Sequence, residues 1–325
     1  MSLPYISTLV ILPNLAPGGA QKQGLILAKQ LAESGIPPAI FLTHSTETTN
    51  SNRELSAGIP SFFAGDVVKK IPFLERIDRI LLAAAQQTGP GWGIQLLKRR
   101  LSNRIFRGLE VPHEISRNLE TNLKIGVASR AIRLTIERQA PKLLISFLPQ
   151  TNIATLLGAN GKQFVVVVER NDFVRQNVGS GIRRAQSLTY PMSNLIAANS
   201  KNAVGQMMKY FPDNRVVFVP NTYPAPIRPN LWEGRPQTIL VVGRLEPQKR
   251  PIEVLKAFLD SGIGSEGWKL VFVGSGSLER SLREVAGGSP EKNHIEFLGH
   301  VTSGEIPYEK ASFAILNSNY EGPPN

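Results

Sequence analysis

The chain has 325 residues, room for two domains of roughly 150 residues each, and its 42% hydrophobic content with 28 Gly and 24 Pro is ordinary for a globular α/β protein. It contains no cysteine, which excludes a disulfide framework, a zinc knuckle and a thiolate nucleophile. The formal charge of +12 is unevenly placed: residues 69–139 hold 14 Lys/Arg against 6 Asp/Glu, two thirds of the excess, and such a surface calls for a polyanionic partner such as anionic lipid, pyrophosphate or nucleic acid.

The start, Met1-Ser2-Leu3-Pro4-Tyr5, lacks the basic opening and cleavage site of a signal peptide, and no apolar run approaches the ~20 residues that span a bilayer. A strand is predicted from Ile6 to Leu12. It runs into Pro17-Gly18-Gly19-Ala20-Gln21 and a helix from about Lys22 to Ser34, with Leu25, Ala28, Leu31 and Ala32 at helical spacing. Strands follow at Ala39 to Thr43, Ser61 to Ala64, Lys142 to Leu148, Phe164 to Val168, Leu195 to Asn199 and Arg215 to Val219. The run Val165-Val166-Val167-Val168 suits a sheet buried on both faces. Strand–helix alternation predicts a parallel, doubly wound sheet.

Residues 66–140 break the alternation. Three helices are predicted there, Pro72 to Gln87, Trp92 to Arg107 and Leu119 to Gln139, with no strand between them. The second has Ile94, Leu97, Leu101 and Ile105 on one stripe, with Lys98, Arg99, Arg100, Arg104 and Arg107 around it and no acid. It reads either as a helix lying in an anionic membrane interface or as one packed inward with a basic solvent face. Aromatic residues are not interleaved with these cations, which argues against a nucleic-acid partner.

The proline-rich stretch Asn221 to Pro229 is the predicted boundary, giving domains 1–222 and 223–325. After it the pattern restarts: strand Thr238 to Val242, helix Pro251 to Leu259, strand Lys269 to Val273, helix Leu278 to Val285, strand Ile295 to Leu298, helix Glu305 to Ala311 and strand Phe313 to Leu316. Four strands and three helices make an incomplete sheet, so the second domain is expected to be truncated at Asn325.

The chemistry-bearing residues gather on strand-to-helix loops. Gly243-Arg244-Leu245-Glu246-Pro247-Gln248-Lys249 follows an apolar strand. Its Arg supplies a planar fork of donors and its Lys a compact charge, a pair suited to a diphosphate. Gly18 and Gly19 would let backbone N–H groups approach an anion at a helix start, although a plain tight turn explains them equally well. Gly274-Ser275-Gly276 reads as a turn. Glu169-Arg170-Asn171-Asp172 is either a polar site at a strand's carboxyl end or a turn. His300 follows Gly299 on a loop and reads as a surface histidine. No two aspartates lie two apart and no histidine pair has i, i+4 spacing, so no metal site is expected.

Taken together, Gly18-Gly19-Ala20, Gly243-Arg244-Leu245 with Gln248-Lys249, Phe297-Leu298-Gly299 and Tyr320-Glu321-Gly322 with Pro324-Asn325 resemble glycosyltransferase family 4, retaining enzymes of the GT-B fold. Ile145-Ser146-Phe147-Leu148, Thr151-Asn152-Ile153-Ala154 and Glu169-Arg170-Asn171 resemble a subgroup that extends polyprenyl-diphosphate-linked glycans at the cytoplasmic membrane face. The resemblance implies two Rossmann-like doubly wound domains facing a cleft, the C-terminal one truncated, and a metal-independent, retaining transfer from a UDP-linked sugar donor with no cofactor.

It implies that Arg244 and Lys249 hold the donor diphosphate and that Glu321 meets the sugar hydroxyls. These three would be the catalytic set. Gly18, Gly19, Gly243, Gly299, His300, Gly322 and Asn325 would line the donor site, with backbone near Gly299 and His300 meeting the base. Glu169, Arg170 and Asn171 would lie on the acceptor side. The acceptor would be a polyprenyl diphosphate or glycan, the location cytoplasmic and peripheral at the membrane through residues 92–107, and no nucleic acid would be bound. Arg170 stands where related enzymes often carry His, so that histidine's role does not transfer. The family's second motif glutamate would fall beyond Asn325, which leaves a non-catalytic membrane-surface or binding protein as the alternative.

Overall fold

The computed structural model describes residues 6–16, 18–45, 48, 50–69, 119–176, 178–222, 234–301 and 306–319. The chain divides into two compact units, Met1–Tyr223 and Pro224–Glu321. The predicted helices Pro72 to Gln87 and Trp92 to Arg107, the linker after Thr222, and Glu321, Gly322 and Asn325 lie outside the described residues.

The front unit is built on a seven-stranded parallel sheet. Its strands are β1 (Thr8–Leu12), β2 (Pro38–Leu42), β3 (Ser61–Phe63), β4 (Leu143–Phe147), β5 (Phe164–Glu169), β6 (Leu195–Ala198) and β7 (Val216–Phe218). The helices are α1 (Gly19–Glu33), α2 (Asn50–Leu55), α3 (Ala64–Lys69), α4 (Leu119–Gln139), α5 (Pro149–Gly158), α6 (Ser180–Thr189) and α7 (Lys201–Tyr210).

Alternate strand residues point to opposite faces, and here both faces are apolar. Leu9, Ile11, Phe41, Leu144 and Val167 pack on one side with Ile125 and Ile132 of α4, Leu156 of α5 and Met207 of α7. Val10, Leu12, Ile40, Leu42 and Phe147 pack on the other with Leu25 and Ala28 of α1. Each such fully buried side chain stabilises by roughly 1.5–3 kcal/mol relative to exposure. Covering both faces with helices is what makes the continuous valine run in β5 affordable.

The strand order β3-β2-β1-β4-β5-β6-β7 matters most for function. The chain winds outward from β1 to β3, then crosses back to β4 beside β1. A ligand crevice is expected outside the carboxyl ends at that reversal. One cation of the basic segment has an internal use. Arg133 on α4 donates to the carbonyl oxygens of Gly158 and Ala159, both at 2.6 Å, and so satisfies the carboxyl end of α5.

The rear unit repeats the plan on a smaller scale. Its parallel sheet runs β10-β9-β8-β11, with β8 (Thr238–Val242), β9 (Lys269–Val273), β10 (Ile295–Gly299) and β11 (Phe313–Ala314). Helices α8 (Pro251–Ser261) and α9 (Glu279–Gly287) cover one face, burying Leu255, Phe258 and Leu282 against Leu270 and Phe272. Chain reversal occurs between β8 and β11.

Two local expectations change. The helix predicted from Glu305 to Ala311 is, among the described residues, a single 3-10 turn at Tyr308–Lys310. Pro307 lacks an N–H and disfavours helical backbone at Ile306, so no helix runs through it. The last strand shortens to Phe313–Ala314, although the Ile315 N–H still donates to the Leu240 carbonyl at 2.8 Å.

Candidate functional site

In the rear unit, the loop after β8 lies at the reversal point. Gly243 ends the strand at φ 151°, and Arg244 turns outward and is exposed. The Glu246 carbonyl accepts from the Lys249 N–H at 2.8 Å, closing a 3-10 turn over Pro247–Lys249. That turn brings Lys249 back over Gly243: its Cε lies 3.7 Å from where a Gly243 Cβ would be. Arg244 and Lys249 thus line one small cavity with Val242, Gly243, Ile315 and Asn317. The segment after β11 supplies the second wall. It is tied to the cation loop by the Asn319 N–H, which donates to the Gln248 carbonyl at 2.9 Å. The cavity sits where the topology predicts a ligand.

A feature read as a plain turn proves to be a clasp on this loop. Gly274 adopts φ 140°, and a Cβ there would fall 1.9 Å from the Gly243 carbonyl oxygen. A Cβ on Gly276 would fall 2.5 Å from the Leu245 carbonyl oxygen. Only glycine permits this approach. Three backbone bonds fasten the two loops. The Gly243 N–H donates to Val273 O at 2.9 Å, the Leu245 N–H to Ser275 O at 3.0 Å, and the Leu278 N–H to Leu245 O at 2.9 Å. Glu246 adds a side-chain tie, accepting the Ser277 N–H at 3.0 Å and its hydroxyl at 2.6 Å. Those bonds, opposed by slight desolvation and aided by the Arg244 charge, hold the Glu246 carboxyl below its usual range. The sequence signal was the close repeat of glycines after an apolar strand. Gly299, on the neighbouring β10, has φ 68° and accepts the Gly274 N–H at 2.7 Å; His300 beside it is exposed.

In the front unit, α1 begins at Gly19, directly after the β1 loop. Gly18 has extended backbone at φ 179°, and the nearest atoms to a Cβ there would be the amide end of Gln21, a flexible group. The fold itself therefore does not demand glycine at position 18. Across the reversal point stands Leu148, a non-glycine residue at φ 76° and ψ 146°. That region is nearly glycine-only and costs on the order of 1–3 kcal/mol. Leu148 launches α5 through Pro149, whose fixed φ suits a first helical position. The first turn of α5 meets the end of β2. His44 Nε2 is 3.0 Å from Gln150 Oε1, its Nδ1 is 2.7 Å from Thr43 Oγ1, and Thr43 Oγ1 is 3.3 Å from Thr151 Oγ1. Burial, opposed by the Gln150 bond and aided by the Lys124 charge, lowers the His44 pKa. Leu148 and Thr151 belong to the runs that carry the subgroup resemblance, but the strained backbone at Leu148 and the pairing of His44 with Gln150 follow no spacing rule.

The acceptor-side candidates separate. Glu169 turns into the interior and is 1% exposed. It accepts from the Tyr190 hydroxyl, from Gln186 Nε2 at 3.3 Å and from Asn152 Nδ2 at 3.5 Å. Burial raises its pKa to about 7 against the Tyr190 bond, the Arg183 charge and the two amides. Burial also pushes the Tyr190 phenol well above its usual value, with the Glu169 charge second. Arg170 is buried too, donating to Asn221 Oδ1 at 2.7 Å, which also accepts from Asn199 Nδ2 at 3.2 Å. Asn171 is half-exposed beside them. Asp172 accepts the Val174 and Arg175 N–H groups at 3.0 Å and Gln206 Nε2 at 2.9 Å. Partial burial opposes its ionisation, but these bonds outweigh it and lower the pKa. Among the described residues no cluster of three or more His, Asp or Glu could hold a metal, and no helix is long and apolar enough to cross a membrane.

Comparison with known proteins joins these observations. One curated relative, the GalNAc-alpha-(1->4)-GalNAc-alpha-(1->3)-diNAcBac-PP-undecaprenol alpha-1,4-N-acetyl-D-galactosaminyltransferase of Campylobacter jejuni, is 25% identical over 199 residues. The match covers 60% of this chain and 54% of that protein, so the chain aligns with about half of the relative's length. Among solved structures, TarM aligns at TM-score 0.68 with 9% identity, over 97% of this chain and 81% of its own. A mutant of S. aureus TarM, crystallised with Fondaparinux, alpha-GlcNAc-glycerol and UDP, aligns at 0.65 with 10% identity over 98% and 82%. Sucrose-phosphate synthase of Thermosynechococcus elongatus aligns at 0.62 with 13% identity over 97% and 76%. The chain has the α/β GT-B fold of these glycosyltransferases, and its residues 225–324 match the family described as glycosyl transferases group 1.

Proposed function

We propose that the protein is a retaining, metal-independent glycosyltransferase that moves a sugar from a nucleotide diphosphate to a lipid-linked glycan. The observation that carries this reading is that Arg244 and Lys249 both border one small cavity at the reversal of the rear sheet. The match of residues 225–324 and the lipid-linked acceptor named for the Campylobacter relative support it. UDP is the nucleotide of choice because UDP accompanies TarM in its complex, and UDP with glucose accompanies Anabaena HepE, which aligns at TM-score 0.53 with 13% identity over 91% of this chain and 70% of its own.

In this reading the bond from the sugar's anomeric carbon to the diphosphate oxygen breaks as the acceptor hydroxyl bonds to that carbon from the same face. The hydroxyl proton passes to the departing phosphate oxygen. Negative charge grows on that oxygen, and cations fixed beside it stabilise the transition state more than the ground state. Arg244 and Lys249 supply this without a metal. Gly243, Gly299 and His300 border the nucleotide, and Glu321, Gly322 and Asn325 complete the sugar side. Gly18 and Gly19 let the start of α1 approach an anion, which explains glycine at position 18 where the fold does not require it.

The front unit takes the acceptor. Arg170 and Asn171 are its candidate contacts, while buried Glu169 fixes β5 and α6 beneath them rather than meeting ligand. Residues 92–107 draw the protein to an anionic cytoplasmic membrane surface, each cation contributing about 1 kcal/mol near the headgroups. The test is to supply full-length protein with a panel of nucleotide sugars and a polyprenyl-diphosphate glycan. Sugar transfer with retained anomeric configuration in the presence of a chelator is expected. No transfer from any nucleotide sugar would overturn the reading.

A further inference from the structure

The rear unit places a carboxylate within the short stretch that carries its two cations. Glu246 lies two residues after Arg244 and three before Lys249, on the same tight loop. Carboxylate and guanidinium pair readily in bidentate fashion, so Glu246 is the natural internal competitor for any phosphate approaching Arg244. The structure shows that competition avoided. Both Glu246 oxygens are turned to Ser277: Oε1 accepts its N–H at 3.0 Å and Oε2 its hydroxyl at 2.6 Å. Arg244 Nη2 reaches Gln248 Oε1 instead, at 3.4 Å. Ser277 is itself firmly placed, because it directly follows Gly276, whose backbone is pressed against Leu245.

We propose that Ser277 is a positioning residue that sequesters Glu246, leaving Arg244 to a pyrophosphate rather than to its own neighbour. The inference rests on the diphosphate role proposed for Arg244. Two donors hold the carboxylate; removing the hydroxyl leaves only the backbone N–H, and Glu246 gains freedom to swing towards Arg244. Ser277 therefore acts without touching ligand, and its effect runs through the charge of Glu246.

That dependence gives a signature that a merely structural role lacks. UDP is titrated into full-length wild type, Ser277→Ala, Glu246→Gln, the Ser277→Ala/Glu246→Gln double variant and Ser277→Thr, with UMP as the probe lacking the second phosphate. Ser277→Ala is expected to weaken UDP about three- to tenfold and UMP less. Adding Glu246→Gln is expected to restore UDP affinity, because the amide cannot neutralise Arg244. Ser277→Thr keeps both donors and is expected to retain wild-type affinity, which separates loss of the tie from loss of fold. A wild type that binds UDP no better than UMP would overturn the diphosphate reading itself. If wild type prefers UDP but Ser277→Ala does not weaken it, or the double variant stays as weak as Ser277→Ala, the sequestration fails while that reading stands.

Discussion

Glu169 in the front unit and Glu246 in the rear unit are both carboxylates near the carboxyl end of a parallel strand, yet their surroundings set them apart. Glu169 is enclosed by Tyr190, Gln186 and Asn152, and burial lifts its pKa to about 7. Glu246 lies at the surface, and two bonds from Ser277 pull its pKa down. The first is a structural acid sealed from ligand. The second is a surface side chain turned to Ser277 rather than to the Arg244 guanidinium nearby. A charge in a low-dielectric interior must find its partners within the fold, whereas an exposed charge can wait for a partner from solution. The rear loop, whose Arg244 is exposed, is therefore the better candidate for chemistry.

The largest effect that would break this contrast concerns the cations. Arg244→Ala and Lys249→Ala are each expected to lower kcat/KM for the nucleotide sugar by roughly tenfold to more than a hundredfold, from about 1.5–3 kcal/mol per charge-assisted bond. Their melting temperatures should stay near wild type, because Arg244 is exposed and Lys249 only half-buried. Equal loss of activity and stability would place them with the structural groups instead.

The next effect belongs to Glu169. Its folded pKa of about 7 lies above the ordinary carboxylate value of 4.5, so the folded state holds its proton more tightly. Its stabilising contribution is complete below pH 4.5 and is lost as pH rises through about 7. The loss is on the order of 3 kcal/mol. Denaturant unfolding from pH 4.5 to 8 should show stability falling, and Glu169→Gln should flatten that fall. An unchanged slope in the variant would mean that Glu169 is not a buried acid.

Gly274→Ala should destabilise the rear unit by more than 1 kcal/mol, since the new Cβ falls 1.9 Å from the Gly243 carbonyl and the backbone would have to open. It should also weaken UDP, whereas a loss of stability with unchanged UDP affinity would show the clasp to be irrelevant to the cations. Smaller still, Arg250→Gly is expected to raise stability by up to about 1 kcal/mol by relieving left-handed backbone at φ 51°, less what the exposed ion pair to Glu253 contributes. Thermal melts would detect either sign.

Much of the architecture was legible in the sequence because it follows from apolar patterning. The strands Thr238–Val242 and Lys269–Val273 occur with the limits that their patterns predicted, and the helix predicted over about Leu119–Gln139 ends at Gln139 as expected. The strand-to-helix loop of Arg244 and Lys249 was legible because an apolar strand precedes it and an amphipathic helix follows. The Glu305–Ala311 helix was misread because periodicity was followed through Pro307. The inward turn of Glu169 was not visible, since its partners Tyr190, Gln186 and Asn152 come from distant segments and obey no spacing rule. The clasp of Gly274 and Gly276 was missed for the same reason: a glycine's need for close approach becomes apparent only when the second loop is in place.

The central claim is that Arg244 and Lys249 receive the donor's diphosphate. Calorimetric titration of UDP and UMP into the full-length protein and into the Arg244→Ala/Lys249→Ala double variant tests it most directly. The account predicts that wild type binds UDP at least tenfold more tightly than UMP and that the double variant binds the two alike. A double variant that keeps the wild-type preference for UDP would contradict it.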